Sequence, residues 1–361
     1  MVKSNPTNKD KYFLITVDVE DWFQVENFKP WIPFSTWDHC ELRVERNVHR
    51  LLDLFDSCES AGKLGSLEGE KVGTNAGLED KNNELYGPNQ LNNSSESVYN
   101  SQLTKYKSHA AAPASNKQHT TNNKHTKKVR CTFFVLGWLA DRLPNLIREI
   151  QARGHEVASH GCIHQLPDQL SADALKQDLT DSKKLLEDIT GVEVVGYRAP
   201  SFSINDNILT IIRDSGYRYD SSYNSFSLHG RYGRISLNGT GKFGIAHKLS
   251  QNFYELPISN MNLGNQILPW GGGAYFRLIP LSLFHSGIKK ILRHQDAYIF
   301  YGHPWEFDPE QPRVNQAAFN SKFRHYTNLN KTQAKLRSLI ENFAHCCFLT
   351  CSRYLELNGG L

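Results

Sequence analysis

A mostly apolar run from Lys11 to Val17 ends in three carboxylates within four positions, Asp18, Glu20 and Asp21. A run of that length and character reads as a strand buried on both faces, and such strands belong to parallel sheets covered by helices. The pattern recurs down the chain. Short apolar runs at Val129–Leu136, Gly154–Ser159, Gly196–Ala199, Gly216–Asp220, Phe253–Pro257 and Ala297–Tyr301 read as further strands. Helical spacing fills the intervals at Glu41–Ser57, Asp141–Ala152, Ala172 to about Ile189, Asn205–Ser215 and Leu281–Arg293. Ser171 and Gly191 supply the cap and stop of the third helix. Strands alternating with helices in this number predict an α/β fold, a barrel or near-barrel.

In that architecture reactive groups gather on loops at the carboxyl ends of strands. Asp18, His160, Arg198, Asp220 and His303 all fall at such ends. His160 and His164 stand four apart, and a divalent metal can take two imidazoles and one carboxylate while keeping positions open for water and substrate. A second carboxylate beside that water is placed to act as its base. The chain therefore reads as a metal hydrolase. Each residue also has an ordinary explanation: Asp18 as a turn residue, the histidines as a loop pair, Arg198 in a surface ion pair, and Asp220 in a Tyr-Asp-Ser-Ser turn.

Composition sets the remaining bounds. Net charge is +4 without a basic, aromatic-interleaved stripe, so no nucleic-acid partner is expected. No run approaches the roughly 18 apolar residues of a membrane span. The polar start lacks the apolar stretch of a signal peptide, and seven cysteines without framework spacing read as reduced thiols, so the expected compartment is the cytoplasm. Between Gly65 and Thr126 there are ten Asn and no Phe, Ile or Trp. Such a stretch buries too little to offset its ordering entropy. The expected layout is one domain over 11–361, a flexible start at 1–10, a disordered insertion over 63–128, and a C-terminal extension from about 304 to 361.

Six motifs in order give a resemblance: Thr16-Val-Asp-Val-Glu-Asp-Trp-Phe-Gln-Val25, Thr132-Phe-Phe-Val-Leu-Gly-Trp138, Gly154-His-Glu-Val-Ala-Ser-His-Gly161 with His164, Tyr197-Arg-Ala-Pro-Ser-Phe-Ser203, Gly216-Tyr-Arg-Tyr-Asp220 and Tyr301-Gly-His-Pro-Trp-Glu306. The set resembles the NodB-homology polysaccharide deacetylases (carbohydrate esterase family 4), most closely the branch associated with exosortase and exopolysaccharide gene clusters. The resemblance implies a distorted (β/α) barrel and removal of N-acetyl groups from an N-acetylhexosamine glycan. It casts Asp18 as base, Arg198 as its partner, His303 as acid and Asp220 as the residue orienting that acid. His160 and His164 become metal ligands, with Glu20 preferred as the carboxylate ligand and Asp21 as the alternative. The metal it implies is zinc, with cobalt or nickel also suited. A backbone N–H near Ser201 would hold the oxyanion, and Trp22, Trp270, Tyr275 and Trp305 would stack on sugars. Two rivals stay open: a same-fold amidohydrolase acting on a small cyclic amide, and a non-catalytic carbohydrate-binding protein. Oligomeric state is not legible.

Overall fold

The computed structural model describes residues 10–60, 127–226 and 232–361. All but Asp10 of the flexible start expected at 1–10, and nearly all of the insertion expected at 63–128, lie outside the described residues. β2 (Glu59–Ser60) and β3 (Lys127–Lys128) pair antiparallel across two rungs, so Lys127 and Lys128 are strand.

β1 (Tyr12–Val19) lies between two parallel neighbours, β4 (Cys131–Val135) and β13 (Ala297–Gly302). From β4 the parallel sheet continues through β5 (Glu156–Ser159), β6 (Gly196–Tyr197), β7 (Tyr219–Asp220) and β10 (Phe253–Glu255). β8 (Gly241–Phe243) and β9 (Ala246–Ser250) add an antiparallel edge at β10. β11 (Asn260–Leu263) and β12 (Gln266–Pro269) form a separate hairpin, and β14 (Cys347–Phe348) joins the start of β1.

No continuous ladder joins the two ends of this curved sheet among the described residues. Single bonds span the gap instead: Ile299 N–H to Ser259 Oγ at 2.9 Å, and Tyr301 N–H to the Gly271 carbonyl at 2.7 Å. Gly272 makes that approach possible, since a Cβ there would sit 2.0 Å from the Tyr301 carbonyl oxygen. The result is a distorted α/β barrel.

Period-two alternation sorts the core into two layers. Phe13, Ile15 and Val17 of β1 pack outward with Leu51, Leu175, Ile208 and Ile288 from the surrounding helices. Leu14 packs inward with Phe134, Ala158, Tyr219, Tyr254, Ile299 and Tyr301. Inner residues two positions further along each strand emerge at its carboxyl end.

The expected helices appear, one of them split in two, and further helices form, Gly273–Leu278 and Cys351–Leu357 among them. Pro144 opens a new helix, so the helix expected over 141–152 becomes Gly137–Arg142 and Pro144–Ala152; proline lacks the N–H that would continue the first. The C-terminal extension expected from about 304 holds the helices Phe319–Tyr326 and Leu329–Asn342. No helix among the described residues is long and apolar enough to cross a membrane.

Candidate metal centre and reactive cleft

Strand alternation delivers the first group of side chains. Leu14, Thr16 and Asp18 share the inner face of β1, and Asp18 emerges at its end, 3% exposed. The Glu20 N–H then donates to the Asp18 carbonyl two residues back (2.9 Å), a γ-turn-type bend that brings both carboxylates into one cleft. His160 follows Ala158 by two, and His303 follows Tyr301 by two, so each leaves its strand on the inner side.

Asp18 Oδ1 accepts from Arg198 at 2.7 Å. The guanidinium is fully buried and otherwise spent on Thr16 Oγ1, the Ser221 carbonyl and Ser221 Oγ, all within 2.9 Å. A guanidinium so held fixes the Asp18 carboxylate in place.

Glu20, His160 and His164 present ligand atoms within 4.8 Å of one another. Glu20 Oε1 lies 3.2 Å from His160 Nε2 and 3.0 Å from His164 Nε2. His160 Nδ1 faces the Arg198 carbonyl at 2.7 Å. A carbonyl only accepts, so Nδ1 carries the proton, and in the neutral ring Nε2 is a lone pair aimed at a carboxylate. Two acceptors at that distance repel unless a cation joins them, and this arrangement suits a divalent metal. Burial works against the charge on Glu20, yet with no metal bound the imidazoles, His164 foremost, outweigh it when protonated and hold the carboxyl well below its ordinary range. His164 adopts a left-handed backbone, φ 55°, and so do Ser201 and Phe202 on the opposite rim, at 52° and 58°. Such strain persists only where the surroundings impose it.

The Asp21 alternative is corrected. Its Oδ2 accepts from the backbone N–H groups of Arg43 and Val44 at 2.6 and 2.8 Å, and Oδ1 accepts from Trp22 N–H. It therefore caps the start of the helix Val44–Asp56 rather than facing the histidines. Burial, opposed by those amides, raises its pKa to about 6.

His303 lies where both half-sites meet, its Nε2 3.8 Å from Asp18 Oδ2 and 3.9 Å from Glu20 Oε1. Its orienting partner is not Asp220. Tyr219 belongs to the inner layer, so the alternation turns Asp220 outward, in register with Glu255. There Asp220 accepts from Ser222 Oγ at 2.6 Å. The partner of His303 is Glu306, whose Oε1 sits 2.7 Å from Nδ1. Glu306 was legible as His-Pro-Trp-Glu: proline opens a single 3-10 turn, and i to i+3 folds the carboxylate back over the ring. Burial disfavours a charge on His303, but the Glu306 hydrogen bond and the charges of Glu20, Glu306 and Asp18 raise its pKa to about 9.

The expected sugar platforms divide. Trp22 is buried and donates to the Glu41 carbonyl; Trp270 is buried, stacked on Phe284 and hydrogen-bonded to its carbonyl. Both are core, corrected from the sugar-binding reading. Tyr275 packs against Phe226 and does not line the cleft. Ser201 and Trp305 do line it, with Phe202, Tyr232, Tyr301 and Arg324. The cleft opens to solvent, and its empty space, counting the open mouth, is ≈ 740 Å³.

Comparison with known proteins bears on this cleft. Residues 112–219 match the polysaccharide deacetylase family model. That segment contributes His160, His164 and Arg198. Residues 221–356 match a domain of unknown function, DUF3473, and contain His303 and Glu306. Among curated relatives, the peptidoglycan-N-acetylglucosamine deacetylase of Bacillus cereus is 31% identical over 91 residues, which is 25% of this chain and 42% of the relative. The chitooligosaccharide deacetylase of Sinorhizobium fredii is 38% identical over 93 residues, again 25% of this chain and 42% of the relative. The chain thus matches less than half the length of these relatives. A crystal structure assigned as a polysaccharide deacetylase, from Mycobacterium smegmatis, superposes with a TM-score of 0.50 at 17% identity, covering 99% of this chain and 92% of that one. It shares the fold.

Proposed function

We propose that this protein is a metal-dependent hydrolase removing N-acetyl groups from amino sugars of a polysaccharide. One observation carries the reading: Asp18, held by Arg198, lines a single solvent-open cleft with Glu20, His164 and His303, and His160 completes the ligand set beside Glu20 and His164. The deacetylase-type segment at 112–219 and the names of the relatives it matches point to the same chemistry.

A divalent metal held by Glu20, His160 and His164, zinc first and cobalt or nickel as alternatives, supplies Lewis acidity toward the acetyl carbonyl and an acidic water. The protein's own groups do the rest. Asp18, held by Arg198, takes the proton of the attacking water. His303 gives a proton from Nε2 to the departing amine, so the amide and water end as acetate and a protonated amino sugar. Trp305, Tyr301 and Phe202 supply apolar walls for the sugar ring. A cleft open to solvent supports a polymeric substrate over the small cyclic amide of the rival amidohydrolase reading. We further propose that the substrate is an exopolysaccharide or envelope glycan. We place the protein in a reducing compartment, since all seven cysteines are free thiols.

The test is acetate release from chito-oligosaccharides by wild type and Asp18→Asn, with bound metal measured on both. The variant should keep its metal and lose at least about 100-fold in kcat. Equal activity in the two proteins removes Asp18 as the base. A His160→Ala variant that still binds metal as the wild type does would remove the ligand set.

A further inference from the structure

The region of 221–356 has no activity attached to the family it matches, yet it supplies one side of the reactive cleft. Arg277, on the short helix Gly273–Leu278, is 1% exposed and spends every guanidinium nitrogen. Nε donates to Glu306 Oε2 at 2.9 Å. Nη1 donates to the carbonyls of His325 and Thr327 at 2.8 and 2.7 Å, and Nη2 to that of Arg324 at 2.9 Å. The other oxygen of Glu306 holds His303 Nδ1 at 2.7 Å. Trp305 lies between the rings of His303 and His325, with centroids 5.1 and 4.1 Å away and planes within 21° and 12°.

From these contacts we propose that residues 221–356 complete the site through a positioning relay, in which Arg277 anchors Glu306 and Glu306 fixes the ring of His303 for proton delivery to the leaving amine. This rests on the deacetylase reading. A carboxylate only accepts, so Glu306 keeps the proton of His303 on Nδ1 and leaves Nε2 facing Asp18 and Glu20. Because Glu306 is buried and Arg277 is tied to three backbone carbonyls of 324–327, the ring cannot turn without unpairing a buried charge. The relay therefore converts the fold of the C-terminal region into the aim of one imidazole.

An ordinary buried ion pair would look similar, so the test must separate aim from stability. Glu306→Gln is nearly isosteric. On N-acetylated chito-oligosaccharides its kcat should fall about 100-fold with KM and metal content held within about twofold. On 4-nitrophenyl acetate, whose phenolate departs without a proton, the loss should stay under about threefold. Equal losses on both substrates, or none on either, overturn the relay. Wild-type protein inactive on every N-acetylated glycan would sink the deacetylase reading instead. The relay is then still judged by nitrogen-15 NMR of the wild-type histidines, which needs neither activity nor a variant that folds. His303 protonated at Nδ1 supports the relay, and a neutral ring protonated only at Nε2 overturns it.

Discussion

His155 shows how one buried side chain sets a pH limit that the cleft does not reveal. It immediately precedes β5, is 4% exposed, and packs against Phe55 and Phe133. Its Nδ1 accepts from the Cys131 N–H at 3.2 Å, which tolerates only a neutral ring. Burial, with Arg130 nearby, lowers its pKa from the ordinary 6.5 to about 4. Between those values the unfolded chain binds a proton that the folded chain refuses, so stability falls as pH drops through the window and levels off below it. The full span is worth a few kcal/mol. Urea melts of wild type should lose that stability between pH 7 and 4, whereas His155→Phe should start about 1–2 kcal/mol lower and show a flatter profile. A slope unchanged by the substitution would assign the acid sensitivity elsewhere.

At the scale of elements, long periodic helices and apolar strands were legible because burial imposes their spacing, and the reactive groups at Asp18, Glu20, His160, His164, Arg198 and His303 follow from the ends of those strands. What the spacing hid is which face a short strand shows. β7 has two residues, too few to carry a period, and so Asp220 looked like a site residue while alternation turns it toward Glu255. Asp21 and Trp22 were obscure for another reason: their partners, Arg43, Val44 and Glu41, lie about twenty residues away in a helix start that nothing local announces. The same helix start is clasped from the far end of the chain. Asp308, fully buried just after the His-Pro-Trp-Glu turn, accepts from Arg43 Nε at 2.6 Å and from Arg46 at 3.0 Å. Asp308→Ala would strand the 7%-exposed Arg43 in the interior and should cost about 3–5 kcal/mol, read as a lower denaturation midpoint with unchanged slope. A loss below about 1 kcal/mol would mean that Arg46 and Glu41 suffice to hold the clasp.

Across the whole molecule, the two halves of the candidate metal site come from opposite sides of a long interruption: Glu20 precedes residues 61–126, and His160 and His164 follow them. β1 and β4 nonetheless pair along five residues in unbroken parallel register, which places Glu20 beside the histidines. The chain enters the interruption at Ser60 and returns at Lys127, and those two residues are partners in the β2–β3 ladder. Ends already held at strand spacing can be joined by a two-residue hairpin turn such as Asn-Gly, and a shorter loop lowers the closure entropy by only about 0.6 kcal/mol per halving of its length. Replacing 61–126 with Asn-Gly should therefore preserve the register of β1 on β4, stoichiometric metal binding and acetate release within about threefold of the intact chain. Loss of metal in the shortened protein, with its helical circular dichroism retained, would show that the interruption helps to assemble the site from its two halves. Loss of both would show that the chain needs the segment to fold.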